Sequence, residues 1–277
     1  MESLTKLGMA AAVLAGLFSA CAREEQKPVV VAPTDDPSQF VNLGDIVPDA
    51  VYELRYYSSY NCTGQRLNGY FECAALLTRQ AAESLKGVSD ELMQLGYRLK
   101  VYDAYRPQCA QDHIIRWAKD LENKTMKERF FPDIEDKTQL FDDFYVLDLD
   151  SHTRGSSVDV TLFDVNTGQD VDMGTTFDWA GPESHLDFCG DPATGKYTGD
   201  NSKSPRKLKI TEQQFTNRMI LRQAMMNHGF QPRDNEWWHY TLANEPFPDT
   251  YFFFPVHHLG NNEEVPMPNQ PSQPAAQ

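Results

Sequence analysis

Between Ser151 and Leu162 the chain reads SHTRGSSVDVTL, and this stretch allows few arrangements. The alternation of Val158, Val160 and Leu162 with Asp159 and Thr161 predicts a strand with an apolar face. Gly155, just before it, permits a backbone reversal at little steric cost. A turn feeding a strand in this way lets His152 and Asp159 converge on one cation. A metal site needs a third ligand, and the segment EWWHY offers His239, with Glu236 three residues before it. Taken alone, a histidine near a turn is usually a surface group and a strand aspartate often a cap. The pair therefore gains its meaning from the rest of the chain.

The 277 residues, 40% of them hydrophobic, suffice for one sizeable domain. Forty acidic against 25 basic side chains give a net charge of −15, which argues against nucleic acid as a partner. Residues 1–20 read as an export signal: the apolar run Met9 to Phe18 is too short to span a bilayer and is followed by Ser19-Ala20-Cys21. Small residues before Cys21 resemble a lipoprotein processing site, so lipidation of Cys21 and an exported, membrane-anchored protein, periplasmic or at the cell surface, are expected. Residues 22–39 read as a polar, proline-containing tether, 40–259 as the domain and 260–277 as a disordered tail.

Four further cysteines, Cys62, Cys73, Cys109 and Cys189, would lie in an oxidising compartment and permit three pairings, among which sequence does not choose. The short loop favours Cys62–Cys73, which leaves Cys109–Cys189. Helices are expected over Leu76 to Leu95, from Pro107 onward with Ala110, Ile114, Trp117 and Leu121 buried, and over Thr211 to His228 behind a capping box. Strands are expected at Tyr97 to Tyr102, around Asp159 and at Trp237 to Leu242. Residues 123–145 and 164–206 lack periodicity and read as connections, the second long enough to be functional or crosslinked. Helices and strands without a βαβ rhythm suggest an α+β domain.

With SHTRGSSVDVTL, DAYRP at 103–107, MGTTFD at 173–178, SH at 184–185 and EWWHY at 236–240, the chain resembles the D-alanyl-D-alanine dipeptidases. These are zinc enzymes of a group that also includes lysostaphin-type peptidases, D-Ala-D-Ala carboxypeptidases and hedgehog. The resemblance runs from about Tyr56 to Pro255. It implies a single α+β domain with a central, mostly antiparallel sheet flanked by helices, and one Zn²⁺ per chain. It puts the metal ligands at His152, Asp159 and His239, the catalytic glutamate at Glu236 and the catalytic arginine at Arg106. Asp178 would receive the free amine of a D-dipeptide substrate, and Tyr56 would lie near it. Asp150 departs from the serine that relatives can carry beside the metal motif.

Such a set suits amide hydrolysis, which needs an activated water, a polarised carbonyl and a proton for the leaving amine. Arg106 keeps its charge and can hold an oxyanion, although a salt bridge to Asp103 would also account for it. Glu236 and His239, three apart, would face opposite sides of a regular strand, so a turn at Asp234-Asn235 or a bulge is required. Two other readings remain open. One is a D,D-carboxypeptidase acting on peptidoglycan stems, favoured by an open cleft in which Asp178 cannot reach the substrate. The other is a zinc-stabilised wall-binding module without catalysis, against which the retained Glu236 speaks.

Overall fold

The computed structural model describes residues 32–260 apart from Phe144. The expected leader, Cys21 and all but the first residue of the expected tail lie outside the described residues. A mixed six-stranded sheet organises the domain. Its strands are β1 (Val51–Tyr52), β2 (Tyr97–Asp103), β3 (Ser157–Asp164), β4 (Gln169–Asp170), β5 (Phe230–Arg233) and β6 (Glu236–Leu242). Side by side they run β5-β6-β3-β2-β1, with β4 beside β3. Only β1 and β2 are parallel; every other pairing is antiparallel, as the α+β expectation requires.

The alternation in β3 is realised: Val158, Val160 and Leu162 are fully buried in the main core. Three long helices supply the rest of that core: α1 (Arg79–Gln94), α2 (Gln108–Lys119) and α3 (Glu212–Asn227). α1 packs on β2 through a stripe that includes Ala81, Leu85, Val88 and Leu92, while α3 lies on β5 and touches α1. Burying each such leucine stabilises the fold by roughly 1.5–3 kcal/mol. Thr211 and Gln214 form the reciprocal capping box that starts α3. No helix among the described residues is long and apolar enough to cross a membrane.

Several boundaries differ from the sequence expectation. Leu76–Thr78, read as the first turn of a helix, is a strand paired with Phe40–Asn42. An apolar triplet fits either element, and here the Phe40 segment supplies a ladder. The expected tether is not wholly outside the domain, because Ala32–Thr34 pairs in parallel with Thr250–Phe252; Pro33 is tolerated on so short an edge strand. Pro107 precedes α2 as its cap rather than opening it, and Leu121 lies beyond the helix, 40% exposed. Residues 123–145 hold two single-turn helices, Lys127–Phe130 and Gln139–Asp142, whose Phe130 and Leu140 are buried. β5 was not expected at all: it is four residues long, follows Gly229 directly and includes Pro232, so it shows no alternating run.

Neither expected disulfide forms: Cys62, Cys73, Cys109 and Cys189 are all free. Cys189 is buried in a separate small cluster with Phe188, Ile210 and Phe215. Cys109 packs instead against Gly69 at the start of α2. Cys62 and Cys73 line different cavities. Spacing along the chain could not reveal that the four thiols are held by different neighbours.

The turn before β3 is the most constrained part of the backbone. Ser151–Arg154 is one 3₁₀ turn, opened by the Asp150 side chain, which accepts a hydrogen bond from His152 N at 2.9 Å. Gly155 closes it at φ 78°, a left-handed conformation suited to glycine. A methyl group there would stand 2.2 Å from the ring of buried Phe40. Gly155→Ala is therefore expected to lower stability by about 3 kcal/mol or fail to fold. Urea unfolding of the purified variant measures this.

Candidate active site

His152, Asp159 and His239, far apart in the chain, meet because β3 and β6 are neighbours in one register. Asp159 and His239 are direct cross-strand partners in this antiparallel pair. The 3₁₀ turn at the start of β3 swings His152 over them. All three are at least 97% buried.

Their donor atoms form a small triangle. His152 Nε2 lies 3.1 Å from His239 Nδ1 and 3.3 Å from Asp159 Oδ1, and His239 Nδ1 lies 3.2 Å from that oxygen. The remaining ring nitrogens are engaged elsewhere. His152 Nδ1–H donates to Ala104 O at 2.6 Å, and His239 Nε2 lies 3.1 Å from Ser151 Oγ and 3.3 Å from Thr241 Oγ1, hydroxyls able to accept its N–H. In those tautomers two nitrogen lone pairs and a carboxylate oxygen face one point, which is repulsive unless a cation sits there. Tetrahedral ligands at the usual zinc distance of about 2.05 Å stand about 3.3 Å apart. The donor set therefore fits a metal ion, and it is the group of described residues able to hold one. Without an ion the repulsion is relieved by protonation instead: His152 is raised to about 9, and the imidazoles, as donors to Asp159, hold its carboxyl well below the usual range against the opposing effect of burial.

Glu236 reaches the same site by the irregularity expected of it. Pro232 pairs with Tyr240 and Arg233 with Glu236, so β6 carries three residues more than β5 between those pairs. This bulge brings Glu236 Oε2 to 3.7 Å from His239 Nδ1, and Asp234-Asn235 forms the turn. Burial pushes the Glu236 carboxyl up to about 8; Arg233 opposes that, and Asp159, Asp150 and Asp178 add to it.

Arg106 is held from several sides. Its Nε donates to Asp103 Oδ2 at 3.0 Å and its Nη1 to Gln111 Oε1 at 3.1 Å. Its guanidinium carbon lies 4.6 Å from the centre of the Tyr56 ring. Nη2 points to the metal triangle, 3.6 Å from Asp159 Oδ2. The salt bridge to Asp103 thus exists and orients the arginine instead of replacing its role at the site. Tyr70, unremarked in the sequence, donates to Asp103 Oδ1 at 2.6 Å from full burial.

A cavity of about 50 Å³ opens onto this centre. Tyr56, Cys62, Arg106, Asp178, Glu236 and Trp238 line its polar part. The apolar wall includes Ile114 and Trp117 of α2, Phe131 and Leu140 from the connection that showed no periodicity, and Val146 just after it. Asp178 adopts φ 63°, a left-handed conformation uncommon outside glycine. Tyr56 OH donates to its Oδ1 at 2.9 Å, whereas its Oδ2 is shut from solvent without a hydrogen-bond partner. Burial lifts the Asp178 carboxyl to about 6 against the pull of the Tyr56 hydrogen bond. An unpartnered buried carboxylate oxygen in strained backbone marks a place where a ligand belongs.

Every expected site residue other than Cys21 thus borders the metal triangle or its cavity, apart from three of the four cysteines. Among the remaining histidines, His185 bonds Tyr145 OH at 3.0 Å, and Tyr145 lines the cavity. Cys62, read as a disulfide partner, proves to be a wall of that cavity. Asp150, beneath the His152 turn, lies 3.9 Å from Arg106 and 3.8 Å from Arg233. Arg233 had no signal in the sequence, because a lone arginine after a proline has no pattern.

The family model described as D-ala-D-ala dipeptidase matches residues 36–257. The chain is 36% identical over 217 residues to the D-alanyl-D-alanine dipeptidase of Enterococcus faecalis, covering 78% of this chain and 98% of that protein. To the protein of the same name from Streptomyces coelicolor it is 33% identical over 217 residues, with the same coverage. To the one from Escherichia coli it is 31% identical over 212 residues, covering 75% and 86%. With Glu236 and Arg106 joining the metal triangle to the cavity that they line with Asp178, and with this match along the domain, the chain belongs to the D-Ala-D-Ala dipeptidase family.

Proposed function

We propose that this protein is a zinc-dependent dipeptidase that hydrolyses D-Ala-D-Ala, or close D-dipeptides, to free D-amino acids. The observation that carries the reading is Asp178 Oδ2, buried and unpartnered in the same small cavity as Glu236 and Arg106. A carboxylate so placed suits a free ammonium group one residue from the scissile bond, as a dipeptide presents. A cavity walled by Trp117, Phe131 and Leu140 beside Glu236 and Asp178 suits a short substrate better than a peptidoglycan stem, which weighs against the carboxypeptidase reading. A zinc site that only braced the fold would need neither Glu236 nor a cavity beside it.

His152 through Nε2, His239 through Nδ1 and Asp159 through Oδ1 would hold the ion. When bound, zinc supplies a lowered pKa for its water and polarisation of the substrate carbonyl. Glu236 takes a proton from the attacking water and delivers it to the departing amine. Arg106 Nη2, on a guanidinium fixed by Asp103 and Gln111, faces the place where the carbonyl oxygen gains charge. Tyr56 fixes Asp178, and Asp178 fixes the amine. The leader-like residues 1–20 and Cys21 support export with a lipid anchor, so the substrate pool would be cell-wall dipeptides outside the cytoplasm, recovered as D-alanine.

Glu236→Gln should lower kcat for D-Ala-D-Ala by about 10³-fold or more while one zinc per chain is retained, read by steady-state kinetics and metal analysis. Removing the metal with a chelator should abolish turnover, and added Zn²⁺ should restore it. As pH falls, kcat/KM should drop first as Glu236, raised to about 8, takes a proton, and more steeply near pH 6, where protonation of Asp178 removes the charge that holds the ammonium.

The same shift has a consequence for stability. The folded carboxyl titrates at about 6, above the ordinary 3.8, so the folded state holds its proton longer than the unfolded chain as pH rises. Asp178 therefore lowers stability progressively between about pH 4 and 6, and fully above 6. Asp178→Asn should lose dipeptidase activity yet melt at a higher temperature than wild type at pH 7.5, with the difference vanishing near pH 4. Equal melting temperatures at both pH values would contradict this.

A further inference from the structure

We infer that Arg233 is the residue that recognises the substrate's carboxylate, and so restricts the enzyme to peptides ending one residue beyond the scissile bond. The inference rests on the dipeptidase reading and adds to it the second charged end of the substrate.

The order of strands lays the site out in a line. β5 carries Arg233, β6 carries Glu236 and His239, β3 carries Asp159, and Arg106 follows β2. Beyond β1 the chain continues alongside β2, with Arg55 N donating to Tyr102 O at 3.0 Å, and so delivers Tyr56 and, through it, Asp178. The acid suited to an ammonium group and Arg233 therefore lie on opposite flanks of the metal ligands. At about 4.8 Å per strand the two backbone flanks stand about 19 Å apart, and the inward reach of Arg233, 3.6 Å from Glu236, and of Asp178, in the cavity with Glu236, leaves the shorter gap that an extended dipeptide of about 7 Å has to cover. A dipeptide laid across the strands with its carbonyl over the ligands directs its ammonium toward Asp178 and its carboxylate toward β5.

Charge makes the same demand. Asp103, Asp150, Asp159 and Glu236 crowd this centre, so an incoming carboxylate is repelled unless a cation receives it. Two guanidinium groups make ion pairs with these acids, Arg106 and Arg233. Arg106 is bound along its Nε and Nη1 side and lies on the Tyr56 flank. Arg233 retains 21% of its side-chain exposure, against 8% for Arg106. Its Nη1 lies 3.8 Å from Asp150 Oδ2 and 3.6 Å from Glu236 Oε2, so both acids hold the guanidinium at the edge of the site. A planar fork so held is suited to a carboxylate.

The test compares D-Ala-D-Ala with its C-terminal amide on wild type, Arg233→Met and Arg233→Lys. Wild type should prefer the acid strongly. Arg233→Met should raise KM for the acid by about 10- to 100-fold, the weight of one charge-assisted contact, with little change in KM for the amide. Arg233→Lys should recover part of the preference. Calorimetric titration of Glu236→Gln protein, with and without Arg233→Met, reads the same discrimination in Kd without turnover. A loss shared equally by acid and amide, or no loss, would overturn the assignment of Arg233 and leave the dipeptidase reading standing. A wild type that binds the acid in preference to the amide but cleaves neither would do the reverse.

Discussion

Three metal-seeking atoms from two strands and a turn stand 3.1–3.3 Å apart in the interior, and they repel one another without a cation between them. Much of the domain is arranged to hold that unfavourable triangle. The antiparallel register of β3 with β6 sets Asp159 opposite His239. The Asp150 cap and the left-handed Gly155 fix the turn that carries His152. A backbone carbonyl and two hydroxyls take the outward ring N–H groups, so each imidazole turns its lone pair inward.

The same centre gathers an unusual density of buried acids. Asp103, Asp150, Asp159 and Glu236 are each at least 92% buried, and half-buried Asp178 adds an oxygen without a partner. Isolated, such groups would be strongly destabilising. Two arginines and a metal ion would offset much of that charge, and the aliphatic packing of α1, α2 and α3 on the sheet stabilises the remainder. The pKa values separate accordingly: Asp150 and Asp159, beside cationic groups, are held low, while Glu236 and Asp178, facing the cavity, are raised. Groups that hold structure and groups that meet substrate are thus distinguished by their surroundings.

What could be read in the chain was whatever leaves a local pattern. β3 announced itself by alternation, α3 by its capping box, and the metal ligands by fixed spacing within short motifs. Glu236 was legible through a contradiction, since strand geometry alone put it on the wrong face and so required the bulge that β6 has. Residues whose role depends on distant neighbours left no such trace. Phe131, Leu140 and Val146 sit in short apolar clusters without helical or strand spacing, yet they wall the cavity. Cys62 invited a disulfide because a second cysteine was close in sequence, whereas its spatial neighbour is Asp178. Tyr70 and Arg233 become meaningful only once Asp103 and Glu236 are seen beside them.

One ion should bind at the triangle, and zinc K-edge anomalous diffraction from crystals of the zinc-loaded protein locates it. A single strong peak per chain is expected, within bonding distance of His152 Nε2, His239 Nδ1 and Asp159 Oδ1. A peak elsewhere, or an ion that engages His239 through Nε2 after the ring has turned, would contradict it.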